Sequence, residues 1–297
     1  MFRDRRLEEE LTLESLDPRA AAEIFEDLTA CLREPIERIA AAYWRYRETA
    51  DVAAQERVAR ATEAGEVLAY YQATPHYLYE LSYWEASRDK QSWYRVIRTA
   101  ARKYGLRRLL DYGGGVGGSV VHLRAHGIAC DYLDVAGKTF EYAAWRFARR
   151  GWEVPMWNVL SGWPQAEYDA VMAWDVLEHI FDLEGTIGQI ARLIRPGGWL
   201  LSKSTFAVAD GHHLHIHLAQ HARYADVREF NRLVAGGEFR FIGQLKPDRL
   251  SRLLRSCGLR HAVAGVRIAA RLKHGGNFLI HERMQGAPAA SQPVGAR

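Results

Sequence analysis

The stretch Arg108-Leu109-Leu110-Asp111-Tyr112-Gly113-Gly114-Gly115-Val116-Gly117-Gly118-Ser119 decides how the rest of the chain is read. Apolar residues run into an acid, a glycine turn follows, and Val120-Val121-His122-Leu123 has helical character. That order predicts a strand, a tight turn and a helix start. Glycine at 113, 115 and 117 permits positive φ and lets a ligand approach the backbone closely. The N–H groups of the helix's first turn face the same place. Two glycine patterns fit, one through Gly113, Gly115 and Gly118 and one through Asp111, Gly113, Gly115 and Gly117. No Gly-Lys-Ser/Thr follows, which disfavours a nucleotide P-loop.

Downstream, strand-like and helix-like segments alternate. Ala129–Leu133 reads as a strand ending in Asp134, and Thr139–Arg150 as a helix. Trp152–Val154 with Met156-Trp157 reads as a third strand, with Asn158 at its end. Tyr168–Ala173 is a fourth strand, followed by Asp175-Val176-Leu177-Glu178-His179. A helix over Leu183–Ile194 stops at Arg195-Pro196-Gly197-Gly198, and Trp199–Ser202 is a fifth strand. Such alternation implies a parallel sheet with helices on both faces, an α/β, doubly wound, Rossmann-like arrangement. Ligands then bind at the carboxyl ends of the strands, where Asp111, Gly113, Asp134, Asn158 and Asp175 all fall. Asp134 lies 17 residues beyond Gly117, where an acid accepts hydrogen bonds from the two hydroxyls of a ribose. Asp131 is the runner-up, but its odd spacing from Asp134 points it to the opposite face of the strand.

Upstream, residues 7–105 carry little strand signal and read as an all-helical head, expected to cap the sheet domain or to mediate dimerisation. Ile24, Leu28, Leu32, Ile36 and Ile39 lie on one face of a helix from Pro18 to Tyr46, with Pro18 suited to its first turn. Further helices are expected over Asp51–Tyr71, His76–Ser87 and Ser92–Tyr104, with breaks at Ala73-Thr74-Pro75 and Gly105. Near its end the head concentrates aromatic residues: Tyr70, Tyr71, Tyr77, Tyr79, Tyr83, Trp84, Trp93 and Tyr94. They serve either as ordinary helix packing or as a lid over a cationic ligand, which an aromatic face attracts.

The 297 residues contain 48% hydrophobic residues, ample for a core, and no apolar run approaches the ~18 residues of a membrane span. Met1-Phe2-Arg3-Asp4-Arg5-Arg6 leads into acidic helix-like sequence rather than an apolar signal core, so a cytoplasmic chain is expected. Cys31, Cys130 and Cys257 lack paired spacing, which argues against disulfides or a zinc-thiolate site. The net charge of +4 is diffuse, and nucleic-acid binding is not expected.

Between the fifth strand and a helix starting near Pro247, residues 206–245 are expected to form a substrate-facing insertion. It holds Asp210-Gly211-His212-His213-Leu214-His215-Ile216-His217-Leu218. His213, His215 and His217 share a face if extended, and could bind zinc or iron, supply a base, or simply hydrogen-bond within a loop. No metal is assigned to them. Arg260–Val266 and Asn277–His281 read as closing strands, and Ala287–Arg297 as a disordered tail. The domain scheme is thus a head over 1–105, an α/β domain over 106–286 and a tail over 287–297.

Leu-Asp-Tyr-Gly-Gly-Gly-Val-Gly (110–117), the acid after the second strand, Tyr-Asp-Ala-Val-Met-Ala-Trp-Asp-Val-Leu-Glu-His (168–179) and Leu-Ile-Arg-Pro-Gly-Gly-Trp-Leu-Leu (193–201) resemble class I S-adenosylmethionine-dependent methyltransferases. The likeness is to the branch with Val-Leu-Glu-His after strand four; it covers residues 106–205, continues weakly to Leu259 and omits the head. It implies S-adenosylmethionine as donor. Asp111 would orient the glycine loop beside the methionine amine, Gly113 and Gly115 would leave room for the carboxypropyl chain, and Gly114 would belong to the same cofactor site. Gly114 stands where the family often has Cys, Ala or Ser. Asp134, with Val135 beside it, would bind the ribose, and Asn158 would lie near the adenine edge. Asp175 and Val176 would flank the methyl-transfer channel.

Tyr71 is a candidate cofactor contact, and Tyr77, His179, His213 and His215 are candidate catalytic residues, His179 having packing as its competing role. The expected activity is methyl transfer to a small-molecule acceptor in a lidded pocket. The alternatives are transfer or cyclisation of the donor's aminocarboxypropyl arm, with release of methylthioadenosine, and a non-catalytic cofactor-binding scaffold.

Overall fold

The computed structural model describes residues 15–49, 52–74, 77–206, 217–245 and 278–284. Among the described residues seven strands form one sheet: β1 (Arg108–Tyr112), β2 (Ala129–Asp134), β3 (Met156–Asn158), β4 (Tyr168–Trp174), β5 (Ile194–Lys203), β6 (Phe239–Leu245) and β7 (Phe278–Arg283). Their order is β3-β2-β1-β4-β5-β7-β6. The first five run parallel, and β7 lies antiparallel between β5 and β6. Leu109, Leu110, Cys130, Tyr132, Leu133 and Ala170 to Ala173 are all fully buried, as the central strands of a sheet covered on both faces must be. The sequence order reverses between β1 and β4, and the crevice at their carboxyl ends is where this architecture binds ligands.

The head comprises α1 (Pro18–Leu32), α2 (Ile36–Thr49), α3 (Val52–Ala59), α4 (Ala64–Ala73), α5 (Tyr77–Ala86) and α6 (Arg88–Tyr104). Asp17 caps α1 by accepting from the Arg19 and Ala20 N–H groups, and Ser87 caps α6 by accepting from Lys90. Helices α7 (Gly118–Arg124), α8 (Lys138–Arg149), α9 (Leu183–Leu193) and α10 (Val227–Gly236) flank the sheet. No described helix is long and apolar enough to cross a membrane.

Several expected boundaries are corrected. The helix expected over Pro18–Tyr46 is two, because Arg33 turns left-handed (φ 56°) and Pro35 follows, unable to continue the hydrogen-bond ladder. The helix expected over Asp51–Tyr71 is interrupted between Ala59 and Ala64. Trp152–Val154 is not a strand: the Trp152 N–H donates back to the Phe147 carbonyl, and pairing with β2 begins only at the Pro155 carbonyl, which accepts from the Tyr132 N–H (3.0 Å). The Arg195-Pro196-Gly197-Gly198 run does not separate helix from strand but lies inside β5, where the pairing with β4 shifts register. Residues 206–245 are not wholly an insertion, since α10 packs on the sheet and β6 is its edge strand. Alternation of apolar residues along Phe239–Leu245 is too weak to mark an edge strand, which needs only one covered face. The segments Arg260–Val266, Pro247–Leu259 and 287–297 lie outside the described residues.

Head and sheet domain share a core. Leu28, Ile39 and Leu78 of the head pack with Val116 of the glycine loop and Tyr142 of α8. Beside this cluster Arg146 of α8 is 1% exposed and reaches three places at once. Its guanidinium donates to both Glu85 oxygens (2.7 and 2.9 Å), to Asp27 (3.0 Å) and to the Val116 carbonyl (2.8 Å). A buried carboxylate pair is tolerated here because the planar fork bridges both acids and Arg150 also donates to Asp27 (2.7 Å).

Candidate functional site

Gly113, Gly115 and Gly117 take φ values of 70°, 53° and 77°, a conformation that L side chains adopt only with strain. A Cβ on Gly113 would lie 2.3 Å from Val176 Cγ2, and one on Gly114 2.6 Å from the Tyr132 ring. The loop is also hydrogen-bonded internally: the Gly113 N–H donates to the Leu133 carbonyl (2.8 Å) and the Gly117 N–H to the Gly114 carbonyl (2.9 Å). The N–H groups of these two residues therefore do not point free into the crevice.

Asp134 closes the loop from the neighbouring strand. Its Oδ2 accepts from the Gly115 N–H (2.6 Å) and the Tyr132 hydroxyl (3.3 Å), and its Oδ1 from the Val135 N–H (2.6 Å). Burial raises its pKa from the ordinary carboxylate range, opposed by these donors. A carboxylate offers about four lone-pair positions, so one on Oδ1 stays open to a further donor. Asp131 faces the other side, tied to Arg108 (2.8 Å), Arg124 (3.5 Å) and the Tyr168 hydroxyl (3.0 Å), which fits its exclusion from the crevice by strand parity. Asn158, paired with Asp134 across β2 and β3, accepts from the Leu160 and Ala136 N–H groups at 3.1 and 3.3 Å.

Asp111 is 2% exposed, and burial pushes its carboxyl up to about 7 despite a Ser119 hydrogen bond and the nearby Lys90 charge. Its Oδ2 is buried without a hydrogen-bond partner among the described residues. An acceptor left so is expensive unless a donor arrives. A cationic amine would satisfy it, and glycines that leave no room for a Cβ provide the cradle; both features fit S-adenosylmethionine.

Asp175 has φ 50°, strained for a residue other than glycine. Its carboxylate sits 3.3 Å from Lys203 Nζ and 3.7 Å from Lys90 Nζ. Both ammoniums also lie over the Trp93 ring, at 3.7 and 4.9 Å from its centroid. Burial lowers the Lys90 pKa, opposed by Asp175. These two lysines were missed by the sequence reading; nothing local marks them, since α6 and β5 meet at Asp175 only in the fold.

The head's aromatics divide. Trp93 and Tyr94 are core residues under the sheet, and Tyr83 stacks on Tyr43 at 4.6 Å. Tyr71 and Tyr77 instead lie over the end of β4, hydrogen-bonded to each other, with Tyr71 5.5 Å from the His179 ring. Burial pushes both phenols up, so neither is a base at neutral pH. His179 stands in the short 3₁₀ turn Leu177–His179, beside Glu178, whose carboxyl burial and Asp175 push up to about 7. His213 and His215 lie outside the described residues; their neighbour His217 is described and faces His179 at 5.6 Å.

A profile of the family described as "Methyltransferase domain" matches residues 43–259, beginning inside the head and upstream of the stretch that carries the resemblance. A 133-residue stretch, 41% of this chain, is 29% identical to part of the hybrid PKS-NRPS synthetase mpsA of Macrophomina phaseolina. A 99-residue stretch, 32% of this chain, is 32% identical to the ubiquinone biosynthesis O-methyltransferase of Methylocella silvestris. The chain spans only 3% and 38% of the lengths of these two relatives. Among solved structures, an S-adenosylmethionine-dependent methyltransferase from Clostridium acetobutylicum aligns with a TM-score of 0.44 and 10% identity, over 66% of this chain and 92% of that one.

Proposed function

The chain belongs to the methyltransferase-domain family and uses S-adenosylmethionine as methyl donor, and from that premise we propose that it methylates a small organic acceptor in a pocket roofed by its helical head. The observation that carries the reading is the seating of the head on the glycine loop. A Cβ on Gly115 would come 2.9 Å from Leu81 Cδ1 of α5, and one on Gly137 would come 3.7 Å from the backbone of Gln72 in α4. With helices this close to the loop, a polymeric acceptor would have to displace them, whereas a small one would not.

Roles follow for the residues of the crevice. Asp111 takes the donor's amine, Gly113, Gly114 and Gly115 admit its carboxypropyl chain, and Asp134 and Val135 hold its ribose. Asn158 lies at the adenine edge. Asp175 and Val176 border the path of the methyl group, and Tyr71 and Tyr77 keep water out from above. The sulfonium methyl is already activated, so the protein's task is alignment and dehydration. The O-methyltransferase named among the relatives supports a hydroxyl oxygen as the acceptor atom.

The test is transfer from methyl-labelled S-adenosylmethionine to the ultrafiltrate and to the macromolecular fraction of a cell extract, with the released nucleoside identified by mass spectrometry. Label in small molecules with S-adenosylhomocysteine is expected. Label in the macromolecular fraction refutes the small acceptor, and methylthioadenosine as the product establishes aminocarboxypropyl chemistry instead.

A further inference from the structure

The turn after β4 and the segment that begins at His217 run side by side. The Leu218 N–H donates to the Glu178 carbonyl (3.2 Å), the Gln220 amide to the Phe181 carbonyl (3.0 Å) and His221 Nε2 to the Ile180 carbonyl (2.7 Å). This lacing sets His217 opposite His179. One donor atom each from Glu178, His179 and His217 then lie within 4.8 Å of one another. Glu178 is 2% exposed. Its Oε1 accepts from the Thr205 N–H at 2.9 Å and the Ser204 hydroxyl lies near the carboxylate, but its Oε2 is buried without a well-formed hydrogen bond among the described residues. A carboxylate oxygen desolvated in this way calls for a ligand.

Two imidazoles and one carboxylate suit borderline first-row ions such as manganese, iron, cobalt and zinc better than magnesium or calcium. Donors bound to one tetrahedral ion at 2.0–2.2 Å stand about 3.4 Å apart, so rotation of the imidazoles by roughly 1 Å closes the site. Three protein donors leave a coordination position open, the pattern of a catalytic rather than a structural ion.

We propose that Glu178, His179 and His217 bind one divalent first-row transition-metal ion whose open position takes a hydroxyl oxygen of the acceptor. The ion-binding half stands by itself; the acceptor half rests on the methyl-transfer reading above. Coordination makes the hydroxyl more acidic, and its proton passes to solvent as the acceptor enters, before the crevice is dehydrated. The oxygen then bonds to the methyl carbon as the carbon–sulfur bond breaks, its electron pair remaining on sulfur in S-adenosylhomocysteine.

Cobalt(II) titration followed by visible absorption tests the site, with calorimetry of S-adenosylhomocysteine as an independent readout of folding and of the donor pocket. The wild-type chain is expected to take up one cobalt per molecule with ligand-field bands. His217→Ala and His179→Ala are expected to lose more affinity than the roughly 10–100-fold that removal of a group merely supporting a ligand costs. Both variants should still bind S-adenosylhomocysteine like the parent, and His213→Ala/His215→Ala should bind cobalt like the parent. The proposal is overturned if the wild type binds no cobalt, if His217→Ala binds it equally well, or if the His213→Ala/His215→Ala pair removes binding that His217→Ala retains. Normal cobalt binding without any S-adenosylhomocysteine binding would uphold the ion site and strike the methyl-transfer reading alone.

Discussion

Gly113→Ala tests whether the glycine loop is shaped by its contact with the turn after β4. The substitution has two separable effects. At φ 70° an L residue is strained by about 1–2 kcal/mol, partly offset by the ~0.4–1 kcal/mol that Ala gains by restricting the unfolded chain. The new methyl would also stand 2.3 Å from Val176 Cγ2 and 2.7 Å from Val176 Cβ, against the 3.5–4.0 Å of an ordinary carbon contact. Rotating χ1 cannot move Val176 Cβ, so the backbone must give, at about 1–3 kcal/mol. The sum is about 2–4 kcal/mol of lost stability. In a Val176→Gly background the clash vanishes and only the strain remains, so the same substitution should cost about 1 kcal/mol or less. Urea unfolding of the four proteins gives the coupling directly. Equal costs in both backgrounds, within ~0.5 kcal/mol, would refute the contact as the reason for glycine at this position.

Arg146→Ala should destabilise by about 3–5 kcal/mol, because Glu85 loses both of its bonds from the guanidinium while staying buried; Arg146→Ala/Glu85→Gln should recover part of that loss in the same unfolding assay. Asp134→Ala should weaken S-adenosylhomocysteine binding by about 2–4 kcal/mol in calorimetry, since the loop brace and the ribose acceptor go together, whereas an equal or larger effect from Asp131→Ala would show the strand's faces to be misassigned. Because the folded Asp111 carboxyl titrates near 7 rather than near its ordinary 3.8, the folded state binds its proton more tightly. Its contribution to stability is therefore full below about pH 4 and is lost as pH rises through about 7. Donor binding, which favours the ionised carboxylate beside an ammonium, should instead strengthen from pH 6 to 8 with proton release. Asp111→Asn should flatten that dependence, and an unchanged pH profile would count against Asp111 as the amine's partner.

The reach of the sequence followed the physics of each element. The strands β1, β2 and β4 were legible because each holds a short apolar run that the sheet buries, Leu109-Leu110, Tyr132-Leu133 and Ala170 to Ala173, with an acid at or beside its carboxyl end. Gly105 marked the end of α6 through capping chemistry, but the start expected at Ser92 lies four residues earlier, at Arg88, where Ser87, expected to end the preceding helix, is the cap. Edge strand β6 was lost because one-sided, bulged pairing leaves little pattern. At the site, residues on consecutive loops were predictable and residues delivered by distant elements were not. Lys90 and Lys203 meet Asp175 from positions 85 and 28 residues away, a proximity that no local spacing encodes. His217 was seen only as one of several histidines on a possible extended face, and its partner proved to be the Glu178-His179 pair already quoted for another reason.

The position of β7 has a consequence for how the chain is made. Eighty residues separate the end of β5 at Lys203 from the end of β7 at Arg283, yet β7 is the strand that joins β5 to β6. On a ribosome adding 5–20 residues per second, β5 waits about 4–16 s with one side of its backbone uncovered. Strand β6 emerges in that interval before β7, the strand that it pairs with among the described residues. Strand β7 must therefore enter between two segments made before it, bringing Phe278, Leu279, Ile280 and His281 into the interior as it does so. Until then the flank of β5 that β7 covers stays open to any other nascent chain nearby, so slower translation or scarcer chaperones over residues 204–283 are expected to lower the yield of native protein.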